Sequence, residues 1–388
     1  MRRTNQILHI SRDNKFLDFA IHCFEQVCPG QNDYLILQNE KNPKPITQIK
    51  HDAIHSISLS RAIKQCADKD FLSQYQAMIF HGLSPTELKV LHSVNGSIKV
   101  IWFGYGFDYY PLIDYYMQRY LGKKTIKYWY NNKKGLIKFG LKVNEYLPIL
   151  SFLKSKSQIK NFERVDYFAP VLEKEYLEIK SRHPEFRAKY IDWNYELGNE
   201  IFKSIGSEYV TGTNFLVGNS ASITNNHLDC FELLTPKRLK KNKVLVPLSY
   251  GFPVHFKEII KEEGSRRFQS QFEPLEEFIP FEEYLRKLRT CGFGLFGSKR
   301  QQALGNIYMG LALGIKIYLH PKNPILEELK KKGFHLYDFN DFKKEKHFDR
   351  PLSLDFQMEN RELMRQMSLK ENYLKKTKDL VKLIDTFE

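Results

Sequence analysis

The chain has 388 residues, enough for two or three domains. Its 42% hydrophobic and 14% aromatic content excludes a disordered or low-complexity chain and permits a sizeable core. The 60 Lys and Arg outweigh the 45 Asp and Glu by 15 charges, which favours an anionic partner: nucleic acid, acidic lipid or a phosphorylated substrate.

In chain order, Ile7-Ser11 reads as a short strand, and Phe16 to Cys28 repeats apolar residues at helical spacing before the stop at Pro29-Gly30. Tyr34-Gln38 predicts a second strand, Ser60-Cys66 a short helix, Ala77-His81 a strand, Ser84-Pro85 a helix start and Ile98-Phe103 a further strand. Val165-Ala169 and a helix over Leu172-Arg182 close this half. A second series runs through strands at Phe215-Gly218, Val244-Leu248, Phe278-Pro280, Phe293-Phe296 and Ile317-His320, with helices at Phe281-Arg289, Leu304-Leu313 and Ile325-Lys332. Alternation of this kind predicts an α/β protein with two parallel sheets, each covered by helices, the loops at their strand ends suiting a nucleotide. The expected domains are 1–195, 205–350 and a helical tail, 355–388, with the boundary near Tyr190-Ser204.

The five cysteines, odd in number and without CxxC spacing, read as free thiols of a reducing compartment. The longest apolar stretch, Ile307 to Ile315, is too short to span a bilayer, and the N-terminus lacks a signal-peptide core. The expected protein is therefore cytosolic or peripheral to a membrane. The twelve histidines show no HExxH or other ligand spacing and the N-terminal half has no DxD, so neither metal nor cofactor is expected.

Four loops could carry chemistry. In the first, the strand at Phe215 runs into Gly218, Asn219 and Ser220, with Thr224 as a capping candidate and Asn225 and His227 beyond; such a turn offers backbone N–H groups to an anion, or is an ordinary capped turn. In the second, Gly297-Ser-Lys-Arg300 and Gln301, Gln302, Gly305 and Asn306 lead into a helix, a sensible diphosphate clamp. Arg300 on a solvated face is the competing reading. The letters of Gly292 to Gly297 match GxGxxG, but the glycines fall within a strand rather than a turn, and a P-loop is excluded. The third and fourth loops place His81-Gly82 and Asp108 at strand ends, where His81 or Asp108 suits a general base, or else a buried histidine and a helix cap.

Between Arg119 and Lys160 eleven Lys and Arg face one acid, Glu145, so ten of the fifteen excess charges fall in one stretch. Lys123, Lys124, Lys127, Trp129, Lys133 and Lys134 combine cations with aromatics, as suits an anionic membrane surface, where each cation is worth about 1 kcal/mol. Nucleic acid competes for the same segment, but no zinc ligands or RNP motif support it, and it is not the expected partner. A solvated helix face is the third reading.

Val217-Gly-Asn-Ser220, Thr224-Asn-Asn-His227, Val246 to Gly251, Phe281-Glu-Glu-Tyr284 and Cys291 to Gly305 together resemble the TDP-N-acetylfucosamine:lipid II N-acetylfucosaminyltransferase family, glycosyltransferase family 56. The resemblance covers about Phe215 to Phe334 and is thinner in the first half, at Phe80-His-Gly82 and Trp102 to Asp108. Ala221, Ser222 and Ile223 depart from a more polar stretch, and Gly251-Phe252 stands where a Tyr-Pro pair is usual. The resemblance implies a GT-B fold whose C-terminal helices cross back to the N-terminal domain. It also implies transfer of 4-acetamido-4,6-dideoxygalactose from a TDP-sugar to a polyprenyl-diphosphate-linked acceptor, in enterobacterial common antigen-like synthesis at the cytoplasmic face of the bacterial inner membrane. Gly218, Asn219, Ser220, Asn225, His227, Tyr250, Arg300, Gln301, Gln302, Gly305 and Asn306 would hold the donor. Asp108, or failing it His81, would deprotonate the acceptor, with Gly82 and Gly106 beside them.

Overall fold

The computed structural model describes residues 6–40, 54–131, 153–195 and 204–387, together with 43, 45–47, 49, 51 and 202. Two compact units emerge: the first takes in the chain up to Tyr116, then Ile149–Glu196 and Lys370–Glu388, and the second Met117–Pro148 and Leu197–Leu369.

The first unit is built on seven parallel strands: β1 (Gln6–Ser11), β2 (Asn32–Gln38), β3 (Ile54–Ser58), β4 (Tyr75–His81), β5 (Lys99–Phe103), β6 (Tyr167–Ala169) and β7 (Lys189–Tyr190). Their order is β3-β2-β1-β4-β5-β6-β7, so the chain winds outward from β1 in one direction and, from β4, in the other. The helix Lys15–Val27 begins where Asn14 Oδ1 accepts from the N–H groups of Phe16 and Leu17, two of the donors a helix start leaves unpaired. Its apolar stripe, Leu17, Ala20, Ile21 and Phe24, is buried against the sheet and meets Leu380 and Ile384 of the last helix, Lys370–Ile384. Thr377 of that helix accepts from Trp193 Nε1 at 3.0 Å, and Trp193 stacks on Phe103 with centroids 4.0 Å apart.

The second unit repeats the scheme with β8 (Asn214–Val217), β9 (Val244–Pro247), β10 (Phe272–Leu275), β11 (Cys291–Phe296), β12 (Lys316–Leu319) and β13 (Tyr337–Asp338), ordered β10-β9-β8-β11-β12-β13 and all parallel. An aromatic core of Phe215, Phe231, Phe293, Phe342 and Phe348 lies under it.

Three sequence expectations are corrected. The strand expected at Phe278-Pro280 lies at Phe272–Leu275, because the helix Phe256–Phe268, which the charged pattern concealed, delivers the chain to the sheet earlier; Phe278 itself is exposed. The tail divides at Ser368: Leu354–Met367 belongs to the second unit, and only Lys370–Ile384 returns to the first. The helix Lys123–Asn131 groups with the second unit, not with residues 1–195. Its free N–H groups are the reason: Asp229 accepts from Lys124 N, Thr125 N and Thr125 Oγ1, and Tyr128 packs against the second core. All five cysteines are free and buried.

Candidate functional site

In an open parallel sheet, ligands gather where neighbouring strands send their connections in opposite directions. Each unit has one such point, between β1 and β4 in the first and between β8 and β11 in the second. The sequence-derived candidates fall at these two places.

In the second unit, β8 ends at Gly218, whose φ of +68° is natural only to glycine and whose missing side chain leaves room for His227; a Cβ there would stand 2.6 Å from Nε2. Asn225 Nδ2 donates to the Ser220 carbonyl at 2.8 Å and to its hydroxyl at 3.1 Å, closing the turn. Asn219 donates to the exposed Tyr250 hydroxyl at 3.1 Å, on the loop after β9. The turns beyond β8 and β11 are joined by Thr224, which donates to Gln302 Oε1 at 2.6 Å. Thr224 is thus not the helix cap expected of it; that position belongs to Asn226, in the left-handed conformation. His227 is fully buried, with neither ring nitrogen hydrogen-bonded, and burial pushes its pKa down to about 3, so the ring is neutral.

After β11, Ser298 donates to the Arg300 carbonyl at 2.9 Å, and Arg300 Nη1 donates to the Gln301 carbonyl at 3.0 Å. Gln301 and Gln302 are buried, while Lys299 and Arg300 are half-buried. The helix Leu304–Leu313 follows with no side chain capping its N-terminus; Asn306, in its first turn beside Gly305, accepts from Tyr284 at 2.9 Å. An uncapped helix start that follows an arginine, at the end of the strand next to the one leading into Gly218, has N–H groups and a cation of the kind an anion can use. Lys299 is diverted from this task, since its ammonium donates to the Leu121 carbonyl.

Asn226 is the residue the sequence reading missed. Its Nδ2 donates to the carbonyls of Tyr120, Thr224 and Gly297, and its Oδ1 accepts from Gly122 N at 2.7 Å. One buried side chain thereby holds together the turns after β8 and β11 and the segment entering the basic helix. Its signal, an Asn-Asn pair before a helix, did not say which asparagine would turn inward.

In the first unit, a cavity of about 720 Å³ opens beyond β1 and β4, lined among others by Arg12, Asn14, His81, Glu87, Tyr105 and Phe107. Buried Glu87 accepts from Ser84 N and Ser84 Oγ and pairs with Arg12 Nε at 2.7 Å, so it orients the half-exposed guanidinium at the cavity wall. Phe107, 52% exposed, and Tyr105 stack with centroids 6.0 Å apart and present an apolar face of the kind sugar rings pack on. The sequence reading passed over Arg12, Glu87 and Tyr105 because nothing local marks them; the strand order brings them together.

Asp108 does not line this cavity. Its Oδ2 accepts from Trp102 Nε1 at 2.9 Å and Leu83 N at 3.1 Å, and its Oδ1 from Tyr105 N at 2.9 Å. Burial pushes its carboxyl above the ordinary range, against the pull of these donors. The geometry is that of a brace joining the loops after β4 and β5, not of a base facing a substrate. Gly82, φ +84°, completes the brace, since a Cβ would lie 2.7 Å from the Tyr105 ring. His81 lines the cavity but is itself almost fully buried, and its Nδ1 meets the Tyr195 hydroxyl at 2.6 Å. We expect Asp108→Asn to lower stability by about 1 to 3 kcal/mol, because an amide nitrogen would face a backbone or indole N–H; thermal unfolding checks this.

Of the docking residues, Lys124 is paired with Glu232 at 3.0 Å, and Lys123 and Lys127 are exposed. Lys133, Lys134 and the Trp129 side chain lie outside the described residues. Among the described residues no helix is long and apolar enough to cross a membrane.

Two parallel-sheet α/β units of this kind are the architecture of the GT-B glycosyltransferases. The chain's fold is similar to apo OtsA (TM-score 0.61, 9% identity, 99% of this chain and 100% of that one). It is also similar to the apo lipopolysaccharide outer core galactosyltransferase WaaB (TM-score 0.59, 11% identity, 97% and 99% covered) and to the E. coli trehalose-6-phosphate protein bound with UDP-2-fluoro glucose (TM-score 0.62, 9% identity, 99% and 100% covered). At such identities the likeness is one of fold. Residues 179–357 match the model of the family described as 4-alpha-L-fucosyltransferase, glycosyl transferase group 56, and the chain is a glycosyltransferase.

Proposed function

We propose that the chain transfers a deoxyamino-sugar, 4-acetamido-4,6-dideoxygalactose, from a TDP donor to a polyprenyl-diphosphate-linked saccharide, in the assembly of an enterobacterial common antigen-like surface polysaccharide. The family's description as a 4-alpha-L-fucosyltransferase supports a 6-deoxy sugar of the galactose series. In this reading the second unit takes the nucleotide sugar and the first unit the acceptor, whose sugar enters the cavity beside Arg12, Tyr105 and Phe107.

The observation that carries the donor assignment is the convergence of the Gly218 turn, Arg300 and the uncapped start of the helix Leu304–Leu313 at one switch point. As the bond from the sugar to the diphosphate breaks, negative charge grows on the leaving oxygen. Fixed N–H dipoles and one guanidinium stabilise that charge without reorganising, which is how electrostatic preorganisation lowers a barrier. Gln301, Gln302 and Asn306 hold the turn around the leaving group rather than carry charge. Asp108 and His81 keep the acceptor loops in place. The exposed cations Lys123 and Lys127 support attachment at the anionic cytoplasmic face of a bacterial inner membrane, where the lipid acceptor is available.

A thermal-shift panel of nucleoside diphosphates and nucleotide sugars tests the reading. TDP and TDP-sugars should stabilise the protein selectively, by about 2.7 kcal/mol at a hundredfold excess over Kd. Stabilisation by UDP or GDP compounds alone would replace the donor, and salt-sensitive binding of polynucleotide with no response to any nucleotide sugar would overturn the reading.

A further inference from the structure

From the wall of the first unit's cavity inward, six side chains form one hydrogen-bonded series, of which Asn14, His81 and Tyr105 line the cavity. His9 Nε2 lies 3.3 Å from Asn32 Oδ1, and His9 Nδ1 lies 2.9 Å from His81 Nε2. His81 Nδ1 is 2.6 Å from the Tyr195 hydroxyl. The Tyr105 hydroxyl, at the cavity wall, is 3.1 Å from Tyr195 Oη and 3.2 Å from Asn14 Oδ1.

The direction of every proton in this series follows from one amide. Asn32 Nδ2 donates to Glu25 Oε1 at 2.9 Å and to the Cys28 carbonyl at 3.0 Å; a flipped amide would set its oxygen against two acceptors. Asn32 Oδ1 therefore faces His9, and His9 Nε2 must carry hydrogen. Both imidazoles are buried and neutral, His9 with a pKa lowered to about 3 by burial and His81 well below its ordinary value, so each has one N–H. His9 Nδ1 is then a lone pair that accepts from His81 Nε2–H, and His81 Nδ1 is a lone pair that accepts from Tyr195. With its only proton used, the Tyr195 oxygen can only accept. The Tyr105 proton goes to Tyr195 or to Asn14, whose amide nitrogen is turned away to Ser11 Oγ and the Arg12 carbonyl. On either path it points away from the ligand.

We propose that Tyr105 is a specificity-determining hydrogen-bond acceptor of the sugar pocket. Its oxygen takes a hydrogen from a hydroxyl or amide N–H of the bound saccharide and rejects a carbonyl, carboxylate or phosphate oxygen in that place, because Asn32 orients the whole series. His9, His81 and Tyr195 are positioning residues for that one oxygen. The inference rests on the acceptor occupying the first unit, and it explains why two neutral histidines are buried side by side where a single apolar residue would pack.

Two measurements on the full-length protein decide it. Long-range proton–nitrogen correlation spectra of histidine-labelled protein should show the Nε2–H tautomer for both His9 and His81; an Nδ1–H tautomer on either ring overturns the series, whether or not transfer has been measured. Tyr105→Phe keeps the ring that packs on Gly82 and removes the acceptor. It should raise KM for a polyprenyl-diphosphate-linked saccharide about tenfold, the worth of one hydrogen bond, and leave KM for the TDP-sugar unchanged. An unchanged acceptor KM in an enzyme that still binds TDP sinks this inference alone, whereas loss of TDP selectivity in the wild-type protein counts against the functional reading and leaves the tautomer result to judge the series.

Discussion

Lowering the pH from 7 to 5 is expected to remove about 4 kcal/mol of stability or more, long before the carboxylates of an ordinary protein protonate. The cause is three histidines, His9, His81 and His227, all buried and neutral. Their folded pKa values are depressed, to about 3 for His9 and His227 and well below the ordinary value for His81, while the unfolded chain titrates near 6.5. Between those limits the unfolded state binds more protons, so stability is fully present above about pH 6.5 and falls as pH falls toward 3. At pH 5 His9 and His227 each give up roughly 2 kcal/mol, the 1.5 units below 6.5 multiplied by 1.36 kcal/mol, and His81 adds to the loss in the same direction. His320, half-buried and lowered to about 4, acts in the same direction, and Asp108, whose carboxyl is raised by burial, acts in the opposite one. Urea unfolding at pH 7.5, 6.5, 5.5 and 5 reads the slope directly. A transition midpoint constant over that range would show that the three rings are hydrated or already charged.

The second large effect falls on Asn226, a residue outside the proposed ligand contacts. Asn226→Ala should lower the stability of the second unit by about 4 kcal/mol. It strands Gly122 N and the carbonyls of Tyr120, Thr224 and Gly297, buried groups that cost about 1 to 3 kcal/mol each when unpaired and partly recover through water. It also forces a Cβ-bearing residue without a local polar contact to hold φ 53°, worth a further 1 kcal/mol or so. For a unit of this size the midpoint of thermal unfolding should drop by about 10 °C. Asn226→Gly separates the causes, because it relieves the backbone but not the stranded groups, and it should recover only about 1 kcal/mol. A shift under about 2 °C for the alanine variant would mean that the two turns are held by other contacts.

These two effects show where sequence reading reaches and where it stops. Alternating apolar runs with Gly and Pro breaks were enough to find both sheets, and the helices Phe281–Arg289 and Leu304–Leu313 lie at their expected bounds, because a regular apolar period and a clear stop mark them. The strands β3 and β7 and the helix Phe256–Phe268 were missed, since two short edge strands and a heavily charged surface helix have no such period. At the switch point of the second unit the glycine turn and the Arg-Gln-Gln segment were legible as candidates because strand ends in parallel sheets expose ligand loops. The cavity residues Arg12, Glu87 and Tyr105 were not, because only the order of strands in the sheet brings β1, β4 and β5 side by side. The surroundings of Asp108 were not legible for a related reason: a carboxylate among glycines looks the same in sequence whether it is open to a substrate or, as here, buried and accepting from three donors. The basic segment was read as one surface, yet Asp229 and Glu232 bind its first turn to the second unit, a pairing of residues a hundred positions apart.

In the proposed reaction Arg300 and the neighbouring helix start stabilise a departing nucleoside diphosphate. The most direct test is the initial rate of TDP release from a TDP-linked 4-acetamido-4,6-dideoxygalactose in the presence of a polyprenyl-diphosphate-linked saccharide, for the wild-type protein and for Arg300→Ala. The wild type should turn over, and kcat/KM should be at least tenfold lower in the variant, the loss of one charge-assisted contact of about 1.5 to 3 kcal/mol. Equal rates for the two proteins, or no turnover by a wild-type protein that is folded, would contradict it.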